Sequence, residues 1–505
     1  MTMLRFARFN RSSGTILVGA LLASCGGGMA VGPQSPAGGA QSSTSISRPH
    51  TEYKLIDTGT LGGPIDSLGF EGERDLNNDG KLVELADLAM RTPPQFCFST
   101  DPPQHCHVAH AALWSERELD DLGSLVRGYS GGPQWISDRG QVAGLAQTGR
   151  LDPLTNFMQF HAVQYTGDRV FDLGTLGGYE SAGFGLNDAG RISGCATTKK
   201  SDPYGFCFTA QVSRAVLWSD GKIRDLGTLG GPDAFAELVN DRGDVAGWSL
   251  TDYKVNPQTG IPTQHPFLWR DGKMRDLGTI GGTAVPLVND LNERGEFVGS
   301  MNVTGDQSFH PFLWNGTVLK DLGTLGGAYG QADWISDAGS VVGWAVNAQS
   351  SVHAFFWNGA MHDIGILAGD KCSVAYGVNS RGQATGVSYP DAACSELGSS
   401  HAFLYERGDI VDLNQLVDSS RRVQLTVALT INERGEIAAQ GVLPNGNTHG
   451  FLLVPIGRQV APRRSASTFK VPASLALLHG YRNSPVAMIA AFREHHYYSR
   501  VSKWR

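Results

Sequence analysis

Three short signatures cycle along this chain, and their recurrence limits the possible fold more than any other feature of it. The first is Asp-Leu-Gly-Thr-Leu-Gly-Gly, intact at Asp172–Gly178, Asp225–Gly231 and Asp321–Gly327, near-intact at Asp57 and Asp276, and worn at Asp121, Asp363 and Asp412. The second is an Asn-Asp-x-Gly turn followed by an apolar run, as at Asn187-Asp188-Ala189-Gly190, with its glycine recurring at 80, 140, 190, 243, 295, 339, 382 and 435. The third is His-Ala-Phe-Leu-Trp, around His110, His161, His265, His310, His353, His401 and His449, with Arg214 standing in once. Eight copies run from Glu52 to Val454.

Each copy holds four short apolar runs separated by turn chemistry. Asp220-Gly221, Asp271-Gly272, Asn315-Gly316 and Asn358-Gly359 sit where two-residue hairpins need φ > 0. Helix-period runs are absent, and 65 glycines without a collagen period fit an all-β chain rich in turns. Four strands per roughly 45–50 residues is the size of one propeller blade. We name the strands A (after Leu-Gly-Gly), B (after the Asn-Asp-x-Gly turn), C (His-Ala-Phe-Leu-Trp) and D (up to Asp-Leu-Gly). The chain starts on a D-type piece, Tyr53–Asp57, and its last repeat ends on a C-type piece, His449–Leu453. This offset predicts a single all-β propeller of eight four-stranded blades, closed by an N-terminal strand that completes the last blade and leaves no exposed edge. The three signatures resemble the HAF-repeat family of bacterial extracellular proteins, over about four-fifths of the chain. The resemblance implies an extracellular location and supplies no activity.

Outside the repeats the chain divides by composition. Residues 1–24 have a basic start and a short apolar run, Thr15–Ala23, the layout of a signal peptide. The run ends in Leu22-Ala23-Ser24-Cys25, which resembles a bacterial lipobox and predicts lipidation at Cys25. Gly26 after it suggests an outer-membrane address, so the expected location is the cell envelope, lipid-anchored at the outer membrane or extracellular. Residues 25–51 then read as a lipidated cysteine and flexible linker, 52–457 as the propeller, and 458–505 as a basic, disordered tail, attraction to anionic membranes being the alternative. The net charge of −7 is the sum of +3 over residues 1–24, +8 over 458–505 and −18 over the body. Such an acidic body is a poor partner for nucleic acid.

With Cys25 assigned to lipid, six cysteines form three sequence-local pairs, and disulfides are expected at Cys97–Cys106, Cys195–Cys207 and Cys372–Cys394. No metal site and no cofactor are expected. Asp75-Leu76-Asn77-Asn78-Asp79-Gly80 begins like a calcium loop, but it is also the first copy of the repeated turn. Gly128-Tyr129-Ser130-Gly131-Gly132 fits G-x-S-x-G, yet it lies in a worn Leu-Gly-Gly loop with no helix to follow. The recurring His and Asp read as one structural hydrogen bond per blade, because catalysis needs one constellation and not seven. No catalytic residue is assigned, and the chain is expected to be no enzyme.

Ring geometry puts the A–B and C–D turns on one face and the B–C and D–A loops on the other. The B–C loops are long in blades one to four (about 88–109, 148–160, 198–213 and 251–264) and short in blades five, six and eight. They carry Phe96, Phe157, Phe160, Tyr204, Phe206 and Tyr253, the candidate ligand-binding residues, and three share an Asp-Pro step (Asp101, Asp152, Asp202). The expected function is a monomeric binding or scaffold module for an unknown protein or glycan. The alternatives are a glycan-acting enzyme and a component of outer-membrane assembly.

Overall fold

The computed structural model describes residues 50–460, apart from 69–72, 94–105, 168, 205, 258, 285–286, 396 and 419–421. The predicted signal peptide, Cys25, the linker up to residue 49 and the tail beyond 460 therefore lie outside the described residues, as do Phe96, Cys97 and Asp101.

The body is an eight-bladed β-propeller. In blade three, Gly177–Leu186, Ile192–Ser201, Gln211–Ser219 and Lys222–Asp225 pair in sequence order as strands A to D. The other blades repeat this antiparallel meander, and the eighth borrows its D strand from the start of the chain. His50–Gly59 lies antiparallel to Thr448–Val460, with Leu55 opposite Leu453, Ile56 opposite Leu452 and Asp57 opposite Phe451. Tyr53, Leu55, Phe451 and Leu453 are all buried at this seam. Each burial contributes about 1.5–3 kcal/mol and offsets the cost of joining distant ends.

Two backbone devices recur. In blades two to seven the inner strand A carries a one-residue bulge and the strand-B residue facing it is glycine, while Ala439 and Glu84 hold that place in blades eight and one. At Gly247 and Gly343 a Cβ would stand 1.9 and 2.0 Å from the carbonyl oxygens of Phe235 and Gln331, so no side chain fits. The turn asparagine supplies the second device. Asn187 Oδ1 accepts the Arg191 N–H, and its Nδ2 donates to the Asn240 carbonyl in the next blade. Asn77, Asn240, Asn292, Asn379 and Asn432 repeat this link at 2.9–3.1 Å, the last spanning the seam to Asn77. Among the C–D turns, Asp220-Gly221 and Asp271-Gly272 have positive φ at both central residues. At Asn315-Gly316 and Asn358-Gly359 only the glycine does, a departure from the expectation.

The strands fix which face each chain end meets. In blade eight Ile437, just after the Asn432–Gly435 turn, pairs with Leu453, so residues 454–460 continue past the blade on the turn face. His50 meets the same face, its Nδ1 3.2 Å from Glu406 Oε1 beside the C–D turn of blade seven. Both ends of the body thus open on the face opposite the B–C loops.

Candidate functional site

The His and Asp of the repeat form one clasp per blade. Distances run from 2.7 Å at His265–Asp276 to 3.0 Å at His310–Asp321, and His449–Asp57 closes the seam at 2.8 Å. Arg214 holds Asp225 in the same way at 3.1 Å. Each aspartate also caps its own turn, as where Asp172 accepts the Gly174 N–H at 2.8 Å, with Gly174 at φ +71°. Partial burial raises these carboxyls, but the His and Gly hydrogen bonds outweigh it and hold Asp121, Asp172, Asp321 and Asp363 below their usual range. Blade seven departs from the pattern. Asn414 replaces the glycine, the chain enters a short 3-10 turn, and Asp412 caps that turn instead. His401 takes Asp370 at 3.0 Å, and this raises the histidine pKa.

The hydrolase-like Ser130 is a latch. It is 1% exposed, its Oγ accepts the Ala109 N–H of the preceding blade, and its own N–H donates to Gln147. Ser181 and Ser373 accept from Ala162 and Ala354 in the same way. The calcium-like segment is likewise a turn: Asn77 Oδ1 accepts the N–H groups of Asp79 and Lys81. Among the described residues no group of three His, Cys, Asp or Glu is placed to hold a metal ion.

The B–C connections of blades one to four are built as arms. Their B strands, Leu82–Arg91, Val142–Leu151, Ile192–Ser201 and Val245–Val255, run 10 or 11 residues and turn exposed at their ends. Each pairing breaks register near the same level, between Asp87 and Arg91, Gln147 and Leu151, Thr197 and Ser201, and Leu250 and Val255. The Asp-Pro step starts the arm tip: Asp152 accepts the Leu154 N–H and Asp202 the Tyr204 N–H, both as Asx turns. Phe157 is 45% exposed and Tyr253 72%, and Phe160 is half-buried against Phe208 of the next arm at 6.1 Å. Tyr204 is also half-buried. Phe206 corrects the expectation: it is 7% exposed and packs edge-on against Trp248 at 5.1 Å, inside the core. The exposed apolar set also includes Met90, Leu151, Leu154, Phe208 and Val255, which a search for aromatic residues passes over.

Cys195–Cys207 ties strand B of blade three to its arm, and Cys372–Cys394 joins strand A of blade seven to the B–C loop. Cys106 is disulfide-bonded too, and its expected partner Cys97 lies outside the described residues. These bonds indicate an oxidising compartment, extracellular or periplasmic. Among the described residues no helix is long and apolar enough to cross a membrane.

On the opposite face all eight blades line a cavity of about 130 Å³ on the ring axis. Trp135 of blade two and Trp334 of blade six stack across it, 6.3 Å apart and 10° from parallel. Around its mouth stand Asp138, Asp188, Asp241, Glu293, Asp337 and Glu433, each at the second position of a repeated turn. All six accept a backbone N–H from the preceding blade, as Asp241 does from Asp188 at 2.7 Å and Glu433 from Ser380 at 2.9 Å. Arg74 reaches in and pairs with Asp138 at 2.8 Å. Burial pushes Asp290 and Glu293 up to about 7, and for Glu293 the neighbouring Asp241 and Asp337 add to it. The sequence did carry a signal for the stacked pair: Trp-Ile-Ser-Asp occurs at 135–138 and again four repeats later at 334–337.

Fold and sites together define a closed eight-bladed propeller with exposed apolar arms on one face and an acidic cavity on the other. No protein-family model matches the chain, and no curated protein does. Similar solved structures are propellers. The β-propeller domain of the trilobed protease from Pyrococcus furiosus matches 70% of this chain and 96% of its own, at 9% identity and a TM-score of 0.41. Dipeptidyl peptidase 4 from Porphyromonas gingivalis matches 80% of this chain and 60% of its own, at 10% identity and 0.42. A Trypanosoma rangeli sialidase matches 82% and 60%, at 8% and 0.31. Likeness at this level shows the fold alone, and the chain spans 53–60% of the length of the full peptidase chains it matches. The expectation that this chain is no enzyme is withdrawn: hydrolytic enzymes are among the chains that share this fold, and a sequence without a catalytic signature does not exclude catalysis.

Proposed function

We propose that this protein is an exported binding module of the cell envelope, seating an apolar face of a partner protein on the arms of blades one to four. One observation carries the reading. Of the ten exposed large apolar side chains among the described residues, seven lie on these four arms: Met90, Leu151, Leu154, Phe157, Phe208, Tyr253 and Val255. Apolar side chains grouped on one part of a surface mark a contact site, and their mixed aliphatic and aromatic character suits a protein more than a sugar.

The test is capture from envelope extract by the full chain, compared with Phe157→Ser/Phe208→Ser/Tyr253→Ser. The reading expects one protein to be retained by the wild type and lost by the variant at unchanged melting temperature. Capture that survives the variant, or retention and turnover of a glycan instead, contradicts it.

A further inference from the structure

The acidic mouth of the axial cavity is unlike the arms in both chemistry and position. Six turn carboxylates ring it, Asp290 lies deeper, and Arg74 is the single basic residue lining it. Its walls offer more than charge. Thr430 is 3% exposed and lines the cavity, and its Oγ1 has no hydrogen-bond partner among the described residues. Trp334 presents an indole there, and indole faces attract guanidinium and ammonium groups. A wall of carboxylates, an idle hydroxyl and an aromatic ring together suit an organic cation with several donors. A bare metal ion suits them less, because no three of the acids come close enough to ligate one.

The chain carries such cations next to this mouth. Its segment after Val460 holds eight Lys or Arg and one acid, Glu494. The strand leading into it, Thr448–Val460, ends on the face where the mouth opens. Arg463 and Arg464 follow that strand by three and four residues and Lys470 by ten, a reach of roughly 10–35 Å for extended chain.

We propose that the mouth of the central channel binds the basic segment following Val460, with the guanidinium groups of Arg463 and Arg464 and the ammonium of Lys470 set among Asp241, Glu293, Asp337 and Glu433. The segment then caps one face of the ring while the arms on the other face stay free. Charge neutralisation across a partly enclosed, low-dielectric mouth holds it there, so salt weakens the contact.

Hydrogen–deuterium exchange of the full chain tests this in the absence of membranes. Amides of residues 461–471 should exchange roughly tenfold more slowly at low salt than at 0.5 M salt, where the Debye length is only about 4–5 Å. Asp241→Asn/Asp337→Asn/Glu433→Gln should abolish the protection. Arg463→Ala/Arg464→Ala should abolish it equally, and this second variant leaves the ring untouched if the first fails to fold. Carbodiimide coupling should join Lys470 to the ring carboxylates in the wild type only. Exchange of the segment at the rate of unstructured peptide, or protection that survives both variants, overturns the proposal. So does protection that appears only when phosphatidylglycerol vesicles are added, since the segment's partner is then the membrane.

Discussion

Blades one to four and blades five to eight share one frame and differ in what they put on its rim. In both halves three of the four blades set a bulged strand A against a strand-B glycine, the turn asparagine or serine closes its loop, and an Asp clasps a His or Arg. Strand B, however, runs 10 or 11 residues in the first half and only six or seven in the second, as in Phe297–Asn302 and Val341–Asn347. The extra residues leave the sheet at one level, and their side chains are exposed. Repetition therefore accounts for stability, and the departures from it are where we propose that a partner is held.

The shared frame predicts the largest effects, and they should be equal in the two halves. Gly247→Val in blade four and Gly343→Val in blade six each drive a side chain into the facing carbonyl, so each should cost about 4 kcal/mol or more by chemical denaturation. A mild effect in one half would break the claim of a common frame.

Next come substitutions within the arms, where buried and exposed rings should separate. Phe206→Ala removes a core ring and should cost about 3–5 kcal/mol. Phe157→Ser and Tyr253→Ser should each stay within about 0.5 kcal/mol of wild type. Opening the Cys195–Cys207 ring with paired serines should cost about 2–3 kcal/mol and expose arm three to proteolysis before the ring unfolds.

A pH effect should also distinguish arm three. Asp233, at the start of blade four, is fully buried beside Asp202 at the base of that arm, and burial first, then Asp202, pushes it up to about 8. The folded protein holds this proton where the unfolded chain has lost it. The stabilisation is therefore complete below the unfolded pKa near 4 and lost as pH rises through 8. Asp233→Asn should flatten the fall in melting temperature between pH 5 and pH 9. The smallest effect belongs to the rim clasps: His310→Ala should cost no more than about 1 kcal/mol, because Asp321 is half exposed.

The ring was legible because its signals are local and repeated: a Gly that needs positive φ, an Asp that caps and clasps, a D-type strand at the wrong end of the chain. Three features were not legible. Phe206 and Phe157 occupy similar loops, and only the distance to Trp248 separates a core ring from a surface one. Asp412 read as a clasp, but without the following glycine it caps a turn, and Asp370 replaces it. Trp135 and Trp334 share a repeated Trp-Ile-Ser-Asp, but that these two rings stack, 199 residues apart, depends on blades two and six facing each other across the axis.

The central claim is that a partner is held by the arms of one half-ring, on the face away from the chain ends. Hydrogen–deuterium exchange of the full chain with and without its captured partner tests it most directly. The account predicts slowed exchange in residues 88–91, 148–160, 198–211 and 251–262, and no change in the short B–C loops of blades five, six and eight. Protection spread evenly around the ring, or confined to the turn face, contradicts it.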